Sequence, residues 1–166
     1  MNAIFDISAA IAVLATAMVI TRAHAVHALL YLIVSLLAVA VAFFVLGAPF
    51  AAALEVIIYA GAIMVLFVFV IMMLNLSDRA STLERSWLSP AAWFGPAFLA
   101  SLLAIELLYL LVTAGLTHTI AAEIGARSVG LALVGPYMLA VELASFLLLA
   151  GLVGAFHIGR SIDLDR

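Results

Sequence analysis

The sequence predicts an all-α membrane protein with five transmembrane helices. Apolar residues make up 69% of the 166 residues and charged residues only 9%, whereas soluble domains are about half apolar and a quarter charged. Apolar runs of about the length that spans a bilayer recur along the chain. A soluble fold is excluded, because such a chain would have almost no polar surface to present to water.

Breaks between the apolar runs place the five helices in one membrane domain, residues 1–166. Gly47 and Pro49 end the second span, and Pro136 suits the first position of the fifth. The segment Thr117–Val134 has too short an apolar run to cross a bilayer, so it is expected to be a surface connection with a short packed or membrane-dipping element. The predicted helices are about 4–20, 28–46, 51–76, 94–116 and 136–158.

The arginines predict the orientation of these helices. Five spans put the first connection (Thr21–His27), the third connection (Ser77–Pro90) and the C-terminus on one side of the membrane. That side holds five of the six basic residues, and the other side holds only Arg127. The positive-inside rule therefore predicts a periplasmic N-terminus, a cytoplasmic C-terminus and a multi-pass protein of the bacterial inner membrane. The five arginines are Arg22, Arg79, Arg85, Arg160 and Arg166.

Several classes of site are not expected in this chain. There is no cysteine, which excludes thiolate metal centres and iron–sulfur ligation. His24 and His27 are expected in the first connection, His118 in a loop and His157 at a helix end, which does not make a metal or haem site. No nucleophile–base arrangement and no basic block for nucleic acid is present. We therefore expect no catalytic residue, bound cofactor or metal ligand here.

Three glutamates, Glu55, Glu106 and Glu142, fall inside predicted spans. A charged side chain at the centre of a membrane helix costs at least ~2.5–3.5 kcal/mol, so each is a candidate for a proton relay or for a hydrogen bond between helices. Position alone leaves both roles open for Glu55 and Glu142. Glu106 has only Tyr109 as a polar neighbour on its own helix, which favours a structural or partner-facing role.

The third predicted helix has an unusual local pattern. Glu55 and Tyr59 are four residues apart, so they share a face on which a water or a proton can pass between them. Ala60, Gly61 and Ala62 follow, and such small residues permit close approach of another helix. Gly61 also weakens the helix by about 1 kcal/mol relative to alanine, which makes a bend or π-bulge an alternative. On the residues alone, ordinary close packing around the glycine is favoured.

The segment Leu54–Leu76 (LEVIIYAGAIMVLFVFVIMMLNL) closely resembles the third membrane helix of a known family. This is the J-subunit family of bacterial NADH:quinone oxidoreductase, respiratory complex I, whose mitochondrial counterpart is NADH dehydrogenase subunit six. Val26–Leu37 is similar to the family's entry to helix two, and Gly135–His157 to its last helix. The family often has Asn-Pro where this chain has His24-Ala25, and Glu106 matches no family feature.

The resemblance implies a non-catalytic subunit that helps to couple quinone reduction to proton translocation. It implies a π-bulge near Tyr59 and Gly61 that straightens or rotates during turnover and gates a water path. Val65 and Phe67 map onto the same gate, Glu55 becomes a candidate for the path or its lining, and Glu142 is kept as a candidate from its position. This implication reverses the preference for ordinary packing at Gly61.

The resemblance also implies partners and cofactors. The chain would lie in lipid among the other membrane subunits of complex I, between the quinone module and the small subunits leading to the antiporter-like subunits. FMN, iron–sulfur clusters and quinone would be held by other subunits, with no cofactor and no nucleic acid bound by this chain. Two alternatives stay open: a purely structural assembly subunit of the same complex, and a standalone ion transporter.

Overall fold

The computed structural model describes residues 2–22, 25–74, 90–114 and 124–161. The chain divides into two compact units, Met1–Ile124 and Gly125–Arg166. Across the described residues, five helices are long and apolar enough to cross a membrane, and the all-α membrane fold is confirmed. The helical spans begin and end within four residues of the predicted limits wherever both ends are described.

The first unit contains four of these spans, the first three within residues 2–74 and the fourth after the undescribed residues 75–89. The third span consists of α3, a π-helical segment and α4, which follow one another without a break. The elements of this unit are α1 (Asn2–Thr21), α2 (Ala25–Val45), α3 (Pro49–Leu54), the π segment (Glu55–Ile63), α4 (Met64–Leu74) and α5 (Pro90–Ala114).

The turn between α2 and α3 is built by residues that cannot continue a helix. Gly47 has a φ of 81°, a left-handed conformation that glycine adopts without strain. The Gly47 N–H bonds to the Phe44 carbonyl at 3.1 Å and the Ala48 N–H to the Phe43 carbonyl at 3.0 Å, which is the Schellman pattern of a helix end. Pro49 then starts α3, where its missing N–H has no intrahelical partner to lose. The break predicted at Gly47 and Pro49 is confirmed.

The core of the first unit lies where α1, α2 and α5 meet. Small residues permit this close packing: Ala15 on α1 and Ala38 on α2 are completely buried. Larger apolar side chains complete the cluster, namely Ile11, Val34, Val41 and Leu103. These three helices therefore form a fixed frame beside the third span.

The first connection is shorter than predicted. The structure starts α2 at Ala25, so His27 lies in the helix and is buried, with 8% of its surface exposed. The polar composition of Thr21–His27 suggested a loop, but alanine and valine at Ala25 and Val26 allow the helix to begin early. The prediction that His27 belongs to the connection was wrong.

The second unit contains α6 (Ala126–Val134) and α7 (Met138–Ser161). The short helix α6 fits the short packed element that was predicted within Thr117–Val134. Pro136 does not start the last helix as predicted, because residues 135–137 form a turn in which the Tyr137 N–H bonds to the Ala132 carbonyl at 3.0 Å. A residue before proline disfavours the helical conformation, and Gly135 indeed leaves it with φ −100° and ψ −108°. The helix therefore begins two residues after Pro136.

Candidate functional site

The π segment of the third span is the most irregular helix among the described residues. Nine residues, Glu55–Ile63, wind with a wider turn, and at its end the Met64 N–H bonds to the Tyr59 carbonyl five residues back. Such segments are rare in proteins and often mark functional sites. The π-bulge predicted around Tyr59 and Gly61 is confirmed.

Gly61 lies at a position of this segment where a side chain would come close to the backbone. A Cβ atom added to Gly61 would be 3.1 Å from the carbonyl oxygen of Val56, five residues earlier. That is closer than nearly all Cβ contacts in proteins. A side chain at position 61 therefore disfavours the wide turn, and glycine permits it.

The structure places five of the predicted site residues on the third span. Glu55 is half-buried, and Tyr59, Val65 and Phe67 each expose 49% of their surface. No residue of the π segment is buried. In the part of the chain that the structure describes, neither Glu55 nor Tyr59 makes a side-chain hydrogen bond, so the two are on one short segment but are not joined directly.

Glu142, the sixth predicted site residue, belongs to the second unit. It lies on α7, and the nearby Ser145 hydroxyl donates to the Val141 carbonyl of its own helix at 3.0 Å. This serine is therefore not engaged with Glu142.

One buried carboxyl, on α5, is not among the predicted site residues. Glu106 on α5 exposes only 7% of its surface, and its Oε1 lies 2.7 Å from the Ser8 Oγ of α1. Its other oxygen, Oε2, has no hydrogen-bond partner among the described residues. The structure therefore places Glu106 between two helices of this chain, which fits the structural one of the two roles that its sequence context favoured.

A second polar contact joins α1 and α2, and it was also missed. The Thr16 and Ser35 hydroxyl oxygens are 2.8 Å apart, and Ser35 Oγ lies 3.1 Å from the Ala12 carbonyl oxygen. Ser8, Ala12 and Thr16 follow one another at a spacing of four, which places them along one face of α1. The two hydroxyl residues of this face, Ser8 and Thr16, are eight residues apart, and that spacing within an apolar helix is a sequence signal that points to the polar face.

The described residues contain one apolar cavity beside the site. It measures about 470 Å³ and lies between α2, α3 and α5, with Val56 of the π segment in its wall. Its lining has no charged side chain, so its chemistry suits hydrocarbon and offers no ligand to a metal or a charged cofactor. Among the described residues, no three His, Asp or Glu side chains are grouped as metal ligands would be.

Some predictions lie outside the described residues, and the structure does not bear on them. Most of the third connection is among them, together with three of the five arginines that support the orientation. So are two of the four histidines. The residues concerned are His24, Arg79, Arg85, His118 and Arg166.

Comparison with known proteins finds relatives along most of this chain. The model of the NADH-ubiquinone/plastoquinone oxidoreductase chain 6 family matches residues 15–158. Subunit J of NADH-quinone oxidoreductase from Pseudomonas aeruginosa is 58% identical over 160 residues, which cover 94% of this chain and 95% of that protein.

Two relatives with lower identity to this chain carry the same name. Subunit J of NADH-quinone oxidoreductase from Escherichia coli is 56% identical over 156 residues, covering 94% of this chain and 85% of that protein. Its counterpart in Buchnera aphidicola subsp. Acyrthosiphon pisum is 46% identical over 166 residues, covering 100% of this chain and 98% of that protein. With a family model and full-length relatives in agreement, the chain belongs to the NADH-ubiquinone/plastoquinone oxidoreductase chain 6 family.

Proposed function

We propose that this chain is a membrane-arm subunit of a proton-pumping NADH:quinone oxidoreductase and that its third span acts as a gate in coupling. Membership of the family supports the first part. The observation that carries the second part is the π segment, Glu55–Ile63, in which a carboxyl, a phenol and a glycine lie within seven residues.

The gate is a change between two helical forms of this segment. A π-helix uses hydrogen bonds to the fifth preceding residue, and an α-helix uses bonds to the fourth. Passing from one form to the other rotates every side chain that follows, including Val65 and Phe67 on α4. Because these side chains are half-exposed in the first unit, the rotation changes what the third span presents to its neighbours.

Glu55 and Tyr59 supply the polar groups of the proposed path. They carry no hydrogen bond to any described residue, so both remain available to water or to another subunit. Their spacing of four places them on one face of the helix in both forms, and passing from one form to the other turns Tyr59 about the helix axis relative to Glu55. The gate thus opens or closes a hydrogen-bonded connection that includes these two groups, and Glu142 is a further candidate for the path.

The chain contributes to the oxidoreductase without a catalytic residue of its own in this proposal. FMN, iron–sulfur clusters and quinone are assigned to other subunits. The neighbours proposed for this chain are the membrane subunits beside the quinone module, the small subunits leading to the antiporter-like subunits, and lipid. Its location is the bacterial inner membrane, with the N-terminus in the periplasm.

The test uses Glu55→Gln and Gly61→Leu in the assembled complex. We expect normal assembly in both, with the rate of proton pumping reduced by about tenfold if the change adds ~1.4 kcal/mol to the barrier of the gating step. NADH:quinone activity and pumping are measured together in inverted membrane vesicles. Gly130→Ala is the control, because a Cβ at that position meets no atom within 4 Å. Wild-type pumping in both variants would remove the third span from the mechanism.

A purely structural role in assembly is the second candidate. It is favoured by the extensive apolar surface of the third span, which suits contact with lipid and other subunits. This role predicts that Gly61→Leu lowers the yield of complex while the remaining complex pumps normally. A standalone ion transporter, the third alternative, predicts ion movement by the chain reconstituted alone, and the proposed function predicts none.

A further inference from the structure

Glu106 and Ser8 form a buried polar pair between α5 and α1, apart from the third span. Ser8 is completely buried and Glu106 exposes 7% of its surface. Glu106 lies eight residues from the end of α5, about 12 Å along its axis, and Ser8 lies six residues from the start of α1, about 9 Å. Since these helix ends are on the same side of the membrane, the pair is at one depth, well inside the spans.

Counting hydrogens limits how this pair can be bonded. Ser8 Oγ lies 2.7 Å from Glu106 Oε1 and 3.0 Å from the Ile4 carbonyl oxygen. A hydroxyl has one hydrogen to donate. An ionised Glu106 and the Ile4 carbonyl are both acceptors only, so with a carboxylate the single Ser8 hydrogen would have to be shared between them in a three-centre bond, and neither contact would have a hydrogen of its own.

A protonated carboxyl satisfies both contacts. With the acid hydrogen on Oε1, Glu106 donates to Ser8 Oγ, and Ser8 donates to the Ile4 carbonyl. Oε2 is then the carbonyl oxygen of a neutral acid, and an unpaired neutral oxygen is tolerated far better in a buried site than an unpaired charged one. The absence of a described partner for Oε2 fits this arrangement.

No described charge compensates a carboxylate at this position. The titratable side chains on the helices packed here are Asp6 on α1, Tyr109 on α5, and His27 and Tyr31 on α2. Asp6 is exposed and would repel a second negative charge, and Tyr109 exposes 60% of its surface. Tyr31 lies beside Gly95, and Gly95 is eleven residues, or about 16 Å, along α5 from Glu106. His27 lies four residues before Tyr31 on α2.

We propose that Glu106 is a proton-binding site within the membrane, with the bound proton on Oε1 and its hydrogen bond directed to Ser8. Loss of this proton would force the Ser8 hydrogen to leave the Ile4 carbonyl for the carboxylate. The site rests on α1 and α5 only. Its test is therefore independent of the test of the gate proposed for the third span.

Infrared spectroscopy of the assembled complex, purified with carboxyl-labelled ¹³C-glutamate, tests the proposal. We expect the difference between wild type and Glu106→Gln to show the loss of one protonated-carboxyl carbonyl band, which moves to lower frequency in D₂O. Glutamine keeps a donor for Ser8, so assembly should be retained. A difference spectrum that shows the loss of carboxylate bands, and no loss of an acid band, would overturn the proposal.

Variants of Ser8 provide a second measurement that does not require Glu106→Gln to assemble. Ser8→Ala should shift the acid band to higher frequency, because the carboxyl loses its acceptor, whereas Ser8→Thr should leave the band in place. Ser101→Ala is the matched control, since the Ser101 hydroxyl donates to the Phe98 carbonyl of the same helix, α5, at 2.8 Å. An acid band that does not move in Ser8→Ala, or that moves equally in the control, would overturn the proposal.

Discussion

Gly95 on α5 lies against the Tyr31 side chain of α2. A Cβ atom added to Gly95 would overlap the Tyr31 hydroxyl and lie 3.1 Å from Cζ of the ring. Tyr31 is 4% exposed, and the Arg22 guanidinium carbon lies 5.4 Å from its ring centroid. The ring therefore has little room to move, and the absence of a side chain at position 95 sets the distance between the two helices.

Gly95→Ala should consequently destabilise the first unit. Overpacking a well-packed site costs about 1–3 kcal/mol, and the buried tyrosine cannot swing into open space. The expected result is a lower temperature at which this chain is lost from the assembled complex, measured by heating purified complex and separating it on native gels.

Two further variants control this result. Gly154→Ala adds the same methyl group where nothing lies within 4 Å, so it should leave the transition unchanged. Adding Tyr31→Phe to Gly95→Ala removes the overlapping hydroxyl and should restore part of the lost stability. A Gly95→Ala complex as stable as wild type would show that α2 and α5 adjust their spacing freely.

At the scale of the element, the third span combines two α-helical ends with a π-helical centre. The α3 helix has Ala52 buried and α4 has Met64 buried, whereas the π segment between them has no buried residue. The two ends are thus each held by packing at one point, and the centre is not. No residue of the buried α1, α2 and α5 core lies on the third span, and a change of hydrogen-bond pattern would rotate Met64 and the residues after it.

Gly61→Ala should shift this segment toward the α form. In the π form the added Cβ would lie 3.1 Å from the Val56 carbonyl oxygen, so this form would lose stability relative to the α form. We expect slower amide hydrogen exchange across residues 57–65 and reduced pumping, both measured on the assembled complex. Exchange as fast as in wild type, with reduced pumping, would contradict a shift between helical forms.

At the scale of the whole molecule, an odd number of spans places the two termini on opposite sides of the membrane. The natural chain has no cysteine, so an introduced cysteine is the only thiol that it offers to a reagent. With a membrane-impermeant maleimide, Asn2→Cys should be labelled in right-side-out spheroplasts and Ser161→Cys only in inside-out vesicles. The opposite pattern would reverse the orientation inferred from the arginines.

Composition and local pattern were enough to predict the membrane class and the number of spans. A span needs about twenty apolar residues, and that requirement is read directly from the chain. The turn at Gly47 and Pro49 was also predictable from the chain alone, because each of these residues affects the helix through its own backbone conformation. The π segment was decided by resemblance to the family, since the physics of Gly61 alone favoured ordinary packing.

The polar pairs inside the first unit were decided by the tertiary structure. Ser8 and Glu106 are 98 residues apart in sequence, and nothing local to either residue indicates the other. Likewise, the sequence left a structural and a partner-facing role open for the lone glutamate on α5, and only the fold places it against α1. Sequence by itself determined that this chain spans the membrane five times and has an irregular third span. Only packing between helices decided which polar groups meet, because in an apolar environment a hydroxyl or carboxyl bonds to whichever group a neighbouring helix brings within reach.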